Sequence, residues 1–89
     1  MRSQQFTMRG TRREEYLSYF EKIGEGREEI PGSTSRVTGK GWMVLVGPES
    51  EIQMGSIRFP EVPITINCED DLFDAFIRDY RLKFMTAGG

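Results

Sequence analysis

Apolar and polar residues alternate through Gln4-Gln5-Phe6-Thr7-Met8-Arg9, with Phe6 and Met8 in phase, which predicts a half-buried strand ending at Gly10. The period then lengthens. Tyr16, Leu17, Phe20 and Ile23 fall on one face of a helix, at the three- and four-residue spacings that such a face requires. Ahead of them, Thr11-Arg12-Arg13-Glu14 has the form of a capping box, in which the Thr11 hydroxyl and the Glu14 carboxylate each satisfy the other residue's backbone N–H. A helix is expected over 12–23, with Gly24 as a left-handed C-terminal cap.

From Glu25 to about Ser35 the pattern breaks down among turn formers, and a long flexible loop is expected at about 25–35. Within it Ile30-Pro31-Gly32-Ser33 suits a type II turn, with Gly32 at the position that needs positive φ. Arg36 to Gly47 alternates as one strand, with Val37, Met43 and Leu45 on one face and Trp42, Val44 and Val46 on the other. Ile52, Met54, Ile57 and Phe59 predict a second strand with a bulge at Gly55-Ser56. After Pro60-Glu61, Val62, Ile64, Ile66 and Cys68 predict a third, placed at an edge or with its N–H side turned out because Pro63 has no N–H.

The segment from Glu69 to Ala87 holds no Gly or Pro. Phe73, Ile77, Tyr80, Phe84 and Ala87 recur at helical spacing, so one helix ending at Gly88 is expected. A rival reading ends the helix near Asp79 and makes Arg81–Thr86 a strand. The order β-α-β-β-β-α implies a single α+β domain over 1–89. Two helices pack on one face of a mainly antiparallel three- to four-stranded sheet, which buries both helical stripes economically. The rival reading gives instead a ferredoxin-like split β-α-β with a C-terminal strand.

Composition narrows the chemistry. Twelve basic against fourteen acidic residues leave a net charge of −2, far from the basic balance that phosphate backbones select, so nucleic acid is an unlikely partner. With no histidine, neither a Ser–His–Asp nor a Cys–His nucleophile pair can be built. One cysteine makes neither an intramolecular disulfide nor a sulfur-rich zinc site. The longest apolar run, Trp42 to Val46, is far below the ~20 residues that span a bilayer. No secretory signal opens the sequence, so a cytoplasmic protein without cofactor is expected.

Four features invite a chemical reading. Glu69, Asp70, Asp71 and Asp74 place enough oxygen donors together for a weak Mg²⁺ or Ca²⁺ site, although negative charge in a helix's first turn also explains them. Arg27, Arg36, Lys40 and Trp42, set among small hydroxyls and glycines, could hold a phosphate-bearing ligand, but the order GxxxxGK[ST] is absent. Cys68 at a helix start could be an acidified thiol, yet Glu69, Asp70 and Asp71 oppose that, and a buried structural cysteine is the plainer reading. The fourth is Gly88-Gly89, which resembles the tail of ubiquitin-like modifiers and small sulfur carriers. In those proteins a bare diglycine enters an adenylating active site and becomes a thioester or thiocarboxylate. The resemblance implies a β-grasp fold that opens with a hairpin before its first helix and runs a strand into the diglycine. Here the first strand meets a helix directly.

The enzyme class is the least supported, since no carboxylate pair sits on a recognisable framework. The expected function is that of a small soluble, non-enzymatic binding or assembly module acting through protein–protein contact, as a homodimer or with another protein. The motive is surplus apolar surface: six Phe, five Met, three Tyr and one Trp for so small a core. Ile57, Phe59, Val62 and Ile64, on strands beside the prolines, are the expected contact residues.

Overall fold

The structure, a computed structural model, describes residues 1–85. Its elements in chain order are β1 (Arg2–Arg9), α1 (Arg13–Ile23), β2 (Gly26–Ile30), β3 (Thr34–Gly39), β4 (Trp42–Val46), β5 (Ser50–Met54), β6 (Ile57–Cys68) and α2 (Asp70–Phe84). The six strands form one antiparallel sheet in the order β1-β6-β4-β3-β2, and β5 pairs with β6 off that path. The α+β class and the placement of both helices on one sheet face agree with the sequence.

The sheet has six strands where three or four were expected, because a glycine turn splits 36–47 into β3 and β4 and the segment expected as a loop supplies β2; a second glycine turn moves the boundary between the next two strands without adding one. Lys40-Gly41 joins β3 to β4 at the pair Gly39↔Trp42, with Gly41 at φ +79°. Gly55-Ser56 is not a bulge. It joins β5 to β6 at Met54↔Ile57, with Gly55 at φ +64°, as a two-residue hairpin with its first central residue left-handed requires. The fold-back also corrects the predicted faces: Val37 pairs with Val44 and is buried with Trp42 and Val46, not with Met43 and Leu45.

The loop expected at 25–35 is a hairpin. Arg27, Glu28 and Glu29 carry no apolar alternation to mark β2, which lies at the sheet edge with Arg36 on Glu28 and Arg27 on Glu21 and Glu29. Its turn, Pro31-Gly32-Ser33, has Gly32 at φ +87°, as the sequence required.

Nor is β6 at an edge, despite Pro63. It is paired with β1 on one side and with β4 and β5 on the other. In an antiparallel ladder a residue's N–H and C=O point to the same side. The Pro63 carbonyl accepts the Gly47 N–H (2.8 Å), so its nitrogen faces the interruption between β4 and β5. The Gly47 carbonyl, which a non-proline residue at 63 would satisfy, instead accepts Arg13 Nε at 2.8 Å. The interruption also carries a one-residue slip: three residues lie between Val46 and Ser50, opposite two between Glu61 and Ile64.

The core lies between the sheet and the helices. Tyr16, Leu17 and Phe20 of α1 and Phe73, Ile77 and Tyr80 of α2 meet Val37, Val44, Val46, Val62, Ile64, Ile66 and Cys68. Helix α1 is not capped by the predicted box. Its N-cap is Arg12, which makes no side-chain cap, and the Arg13 N–H donates instead to Glu49 Oε1 at 2.8 Å. Helix α2 ends at Phe84, short of the expected Gly88, and its helical 81–84 removes both the C-terminal strand and the ferredoxin-like alternative.

Gly24 is not left-handed either; it is extended at φ −100°, ψ −174°. Glycine is needed there for space, since a Cβ would sit 2.8 Å from both the Phe20 and Thr38 carbonyl oxygens. Backbone oxygens cannot swing aside, so Gly24→Ala is expected to destabilise the domain by about 1–3 kcal/mol. Urea denaturation measures this, and a change below about 0.5 kcal/mol, the scale of ordinary surface substitutions, would mean that the end of α1 gives way freely.

Candidate functional site

Side chains on β6 alternate between the helix-covered face and an open one, and its 12 residues run without a break. From Val62 to Cys68 the even positions are apolar and buried under the helices, while Pro63, Thr65 and Asn67 look out. From Ile57 to Phe59 the phase is reversed: the odd positions Ile57 and Phe59 are apolar and the even position Arg58 is charged. Register places Ile52 opposite Phe59 and Met54 opposite Ile57, so all four share the open face. Glu51, Gln53 and Arg58 lie on the reverse side, where Arg58 Nη1 approaches Glu51 Oε1 at 3.4 Å.

This segment is an arm. Strand β1 stops at Arg9↔Glu61, with a last bond from the Gly10 N–H to the Pro60 carbonyl (3.0 Å), and β4 stops at Val46↔Ile64, so residues 51–54 of β5 and 57–59 of β6 have only each other as strand partners among the described residues. Met54 and Ile57 are 59% and 57% exposed, and Ile52 and Phe59 are half-buried. Half-buried Met43 and Leu45 of β4 extend the apolar surface along the open face.

The predicted contact residues divide accordingly. Ile57 and Phe59 are on the arm, whereas Val62 (0% exposed) and Ile64 (1%) are core and cannot meet a partner. Sequence reasoning grouped them because it read Pro60-Glu61 as a strand break. In one continuous strand, the same residues belong to opposite faces. It also missed Ile52 and Met54 as their partners, which the phase change at 60–62 could have signalled.

The carboxylates of the candidate cation site do not converge. Asp70 meets the Met1 ammonium (3.2 Å) and Asp74 meets Arg2 (3.4 Å), and no group of three acidic or cysteine residues among the described residues could hold a metal. The candidate phosphate loop is likewise spoken for: Arg27 and Arg36 are ion-paired with glutamates, and Trp42 is core, against Phe20 and Phe76. Gly88 and Gly89 lie outside the described residues. A surface hollow of about 940 Å³ runs between α1 and Lys83 and is lined by Arg12, Glu14, Glu15, Ser18, Tyr19 and Lys22 among others. Its mixed charges converge on no point.

Cys68 is buried, and burial, with the charges of Glu69 and Asp71, pushes its thiol up, against one backbone N–H from Glu69. The acidified-thiol reading therefore fails. Burial raises the phenols of Tyr16, Tyr19 and Tyr80 as well. The Thr11 hydroxyl opposes this at Tyr16 without reaching hydrogen-bond geometry. An acid whose pKa is higher folded than unfolded stabilises the fold below its unfolded pKa, and this is lost as pH rises towards the folded value. No histidine titrates near neutrality, so the urea midpoint is expected to stay flat from about pH 6 to 8 and to fall above about pH 9–10. A midpoint still level at about pH 10.5 would contradict these shifts.

The sequence profile of the archaeal MoaD-like protein family matches residues 4–89, nearly the whole chain. The chain belongs to that family. Comparison with curated proteins and with solved structures gives no match. The family match takes in β1 through α2 and continues over Gly88-Gly89. Among the described residues, this MoaD-like chain has neither a hairpin before its first helix nor a strand leading towards the diglycine. No described helix is long and apolar enough to cross a membrane.

Proposed function

We propose that this MoaD-like protein is a non-catalytic contact module, which engages another protein through the open sheet face and the β5–β6 arm. One observation carries the reading: within an unbroken strand, the apolar side switches from the helix-covered face to the open face at 60–62, so Ile57 and Phe59 have no core to join. Ile52 and Met54 share that side, and a cluster of this kind on a protruding hairpin is what a partner's apolar surface would cover. The test is a photo-cross-linking residue at position 57, compared with one at Ser18 on the outer side of α1. Protein adducts from position 57 and none from position 18 are expected. Equal adducts from both, or none from position 57, overturn the reading.

A second reading rests on the family match, which runs through Gly88-Gly89: the diglycine acts as the carrier tail of a ubiquitin-like or sulfur-carrier protein. It predicts a covalent adduct when the chain is incubated with ATP and a carrier-activating adenylating enzyme. The adduct is lost on deleting Gly88-Gly89, while the far-UV circular dichroism is unchanged. No adduct with the intact chain removes this reading.

A further inference from the structure

We infer that the partner of the arm is a second copy of this chain, added antiparallel along the free edge of β5 about a two-fold axis at Ile52. The inference rests on the contact-module reading and specifies its partner.

The arm asks for further strands. A two-stranded hairpin is marginal in water, and a third strand over an apolar face is what usually makes one persist. Here β5 is bonded to β6 on one side only, and among the described residues no strand lies beside its outer N–H and C=O groups. Joining two copies there turns two two-stranded arms into one four-stranded ribbon.

Charge placement singles out this edge. A two-fold on β5 sets Ser50 against Met54, Glu51 against Gln53 and Ile52 against Ile52 of the partner subunit, with no like charges opposed. The same operation centred on β2 sets Glu28 against Glu28, and on β1 it sets Arg2 against Arg9 at both ends. The outer edge of β6 in the arm carries Pro60, which cannot donate. Like charges and proline are the usual guards of an edge strand, and β5 alone of the four has neither. Pairing also brings Ile52 side by side with its copy, on the face that already holds Met54, Ile57 and Phe59. Five residues per edge make a small contact, so the dimer is expected at micromolar protein, roughly 1–100 µM, and not tighter.

Exposed Gln53 supplies the test, because it faces Arg58 within the chain and Glu51 of the partner subunit across the axis. Gln53→Lys adds an attraction across the axis and a repulsion within the chain; Gln53→Glu does the reverse. Sedimentation equilibrium over roughly 1–500 µM, at low salt, is expected to show the parent dimerising. Gln53→Lys should tighten it by about 2–10-fold and Gln53→Glu loosen it by a similar factor. The pair Glu51→Lys/Gln53→Glu should restore it. A parent that stays monomeric overturns the inference, as do two Gln53 variants that leave the constant unmoved or shift it in one direction. Circular dichroism confirms that each variant is folded. If position 57 cross-links to a different protein while the chain stays monomeric, only the second copy is lost and the contact-module reading stands. If it cross-links to nothing, both are lost.

Discussion

Arg13→Ala is expected to lower the unfolding free energy by about 2–4 kcal/mol, the largest effect of any substitution outside the apolar core. Nε donates to the Gly47 carbonyl at 2.8 Å, and Nη2 reaches Ser35 Oγ at 2.7 Å, the Val46 carbonyl at 3.1 Å and the Ser33 carbonyl at 3.3 Å. One guanidinium thus ties the start of α1 to the β2–β3 turn and to the gap between β4 and β5. The Gly47 bond replaces a ladder donor that Pro63 lacks, so no neighbouring backbone group can take it over. Ser35 is wholly buried, its hydroxyl donates to the Glu29 carboxylate, and the other donor that reaches it, Arg27 Nη2, is at the long distance of 3.5 Å. Water reaches part of the cluster, which keeps the loss below the sum of its bonds. In a domain of this size the change lowers the melting temperature by about 10–25 °C. Arg13→Lys keeps the charge but not the planar fork, and should recover less than half. A loss within about 0.5 kcal/mol for Arg13→Ala, by urea denaturation, would show that the fork is ornamental.

Phe20→Ala is expected to remove about 3–5 kcal/mol, a large share of the stability of an 89-residue chain. Phe20 is fully buried where the two helices and the sheet meet. Its ring stacks on Phe76 (centroids 6.2 Å apart) and Tyr80 (5.7 Å), and tilts against Trp42 (6.1 Å). Both helices would line the cavity, so neither can close it without leaving the sheet. Tyr80→Phe is the contrasting case. The Tyr80 hydroxyl, like that of Tyr16, is buried without a hydrogen-bond partner, so its removal should be neutral or stabilising by up to about 1.5 kcal/mol. Calorimetry on the two variants checks both signs, and a marked loss in Tyr80→Phe would reveal a partner for that oxygen.

The helices and the α+β class were legible because their signal is local: Tyr16, Leu17 and Phe20, and again Phe73, Ile77 and Tyr80, declare a covered stripe without reference to the rest of the chain. The turns of two residues were not. Gly39-Lys40-Gly41 and Gly55-Ser56 interrupt alternation so briefly that a fold-back and a bulge leave nearly the same pattern, and only the partner strand tells them apart. Strand β2 was invisible because Arg27, Glu28 and Glu29 serve an edge, where charge keeps other chains away. The arm was half legible. Ile57 and Phe59 stood out as apolar, but that they face away from Val62 and Ile64 follows only once 57–68 is known to be one strand.

The pairing of β1 with β6 joins residues 2–9 to residues 61–68, the two most distant strands in the chain. On a ribosome the first strand therefore emerges some sixty residues ahead of its mate, a wait of about 3–12 s at ordinary translation rates. Throughout that interval Phe6 and Met8 lack both the strand beside them and the helix α2 that completes their cover. The nascent protein is thus most at risk of sticking to its neighbours before synthesis is complete, and slow elongation late in the message should lower its soluble yield more than slow elongation early.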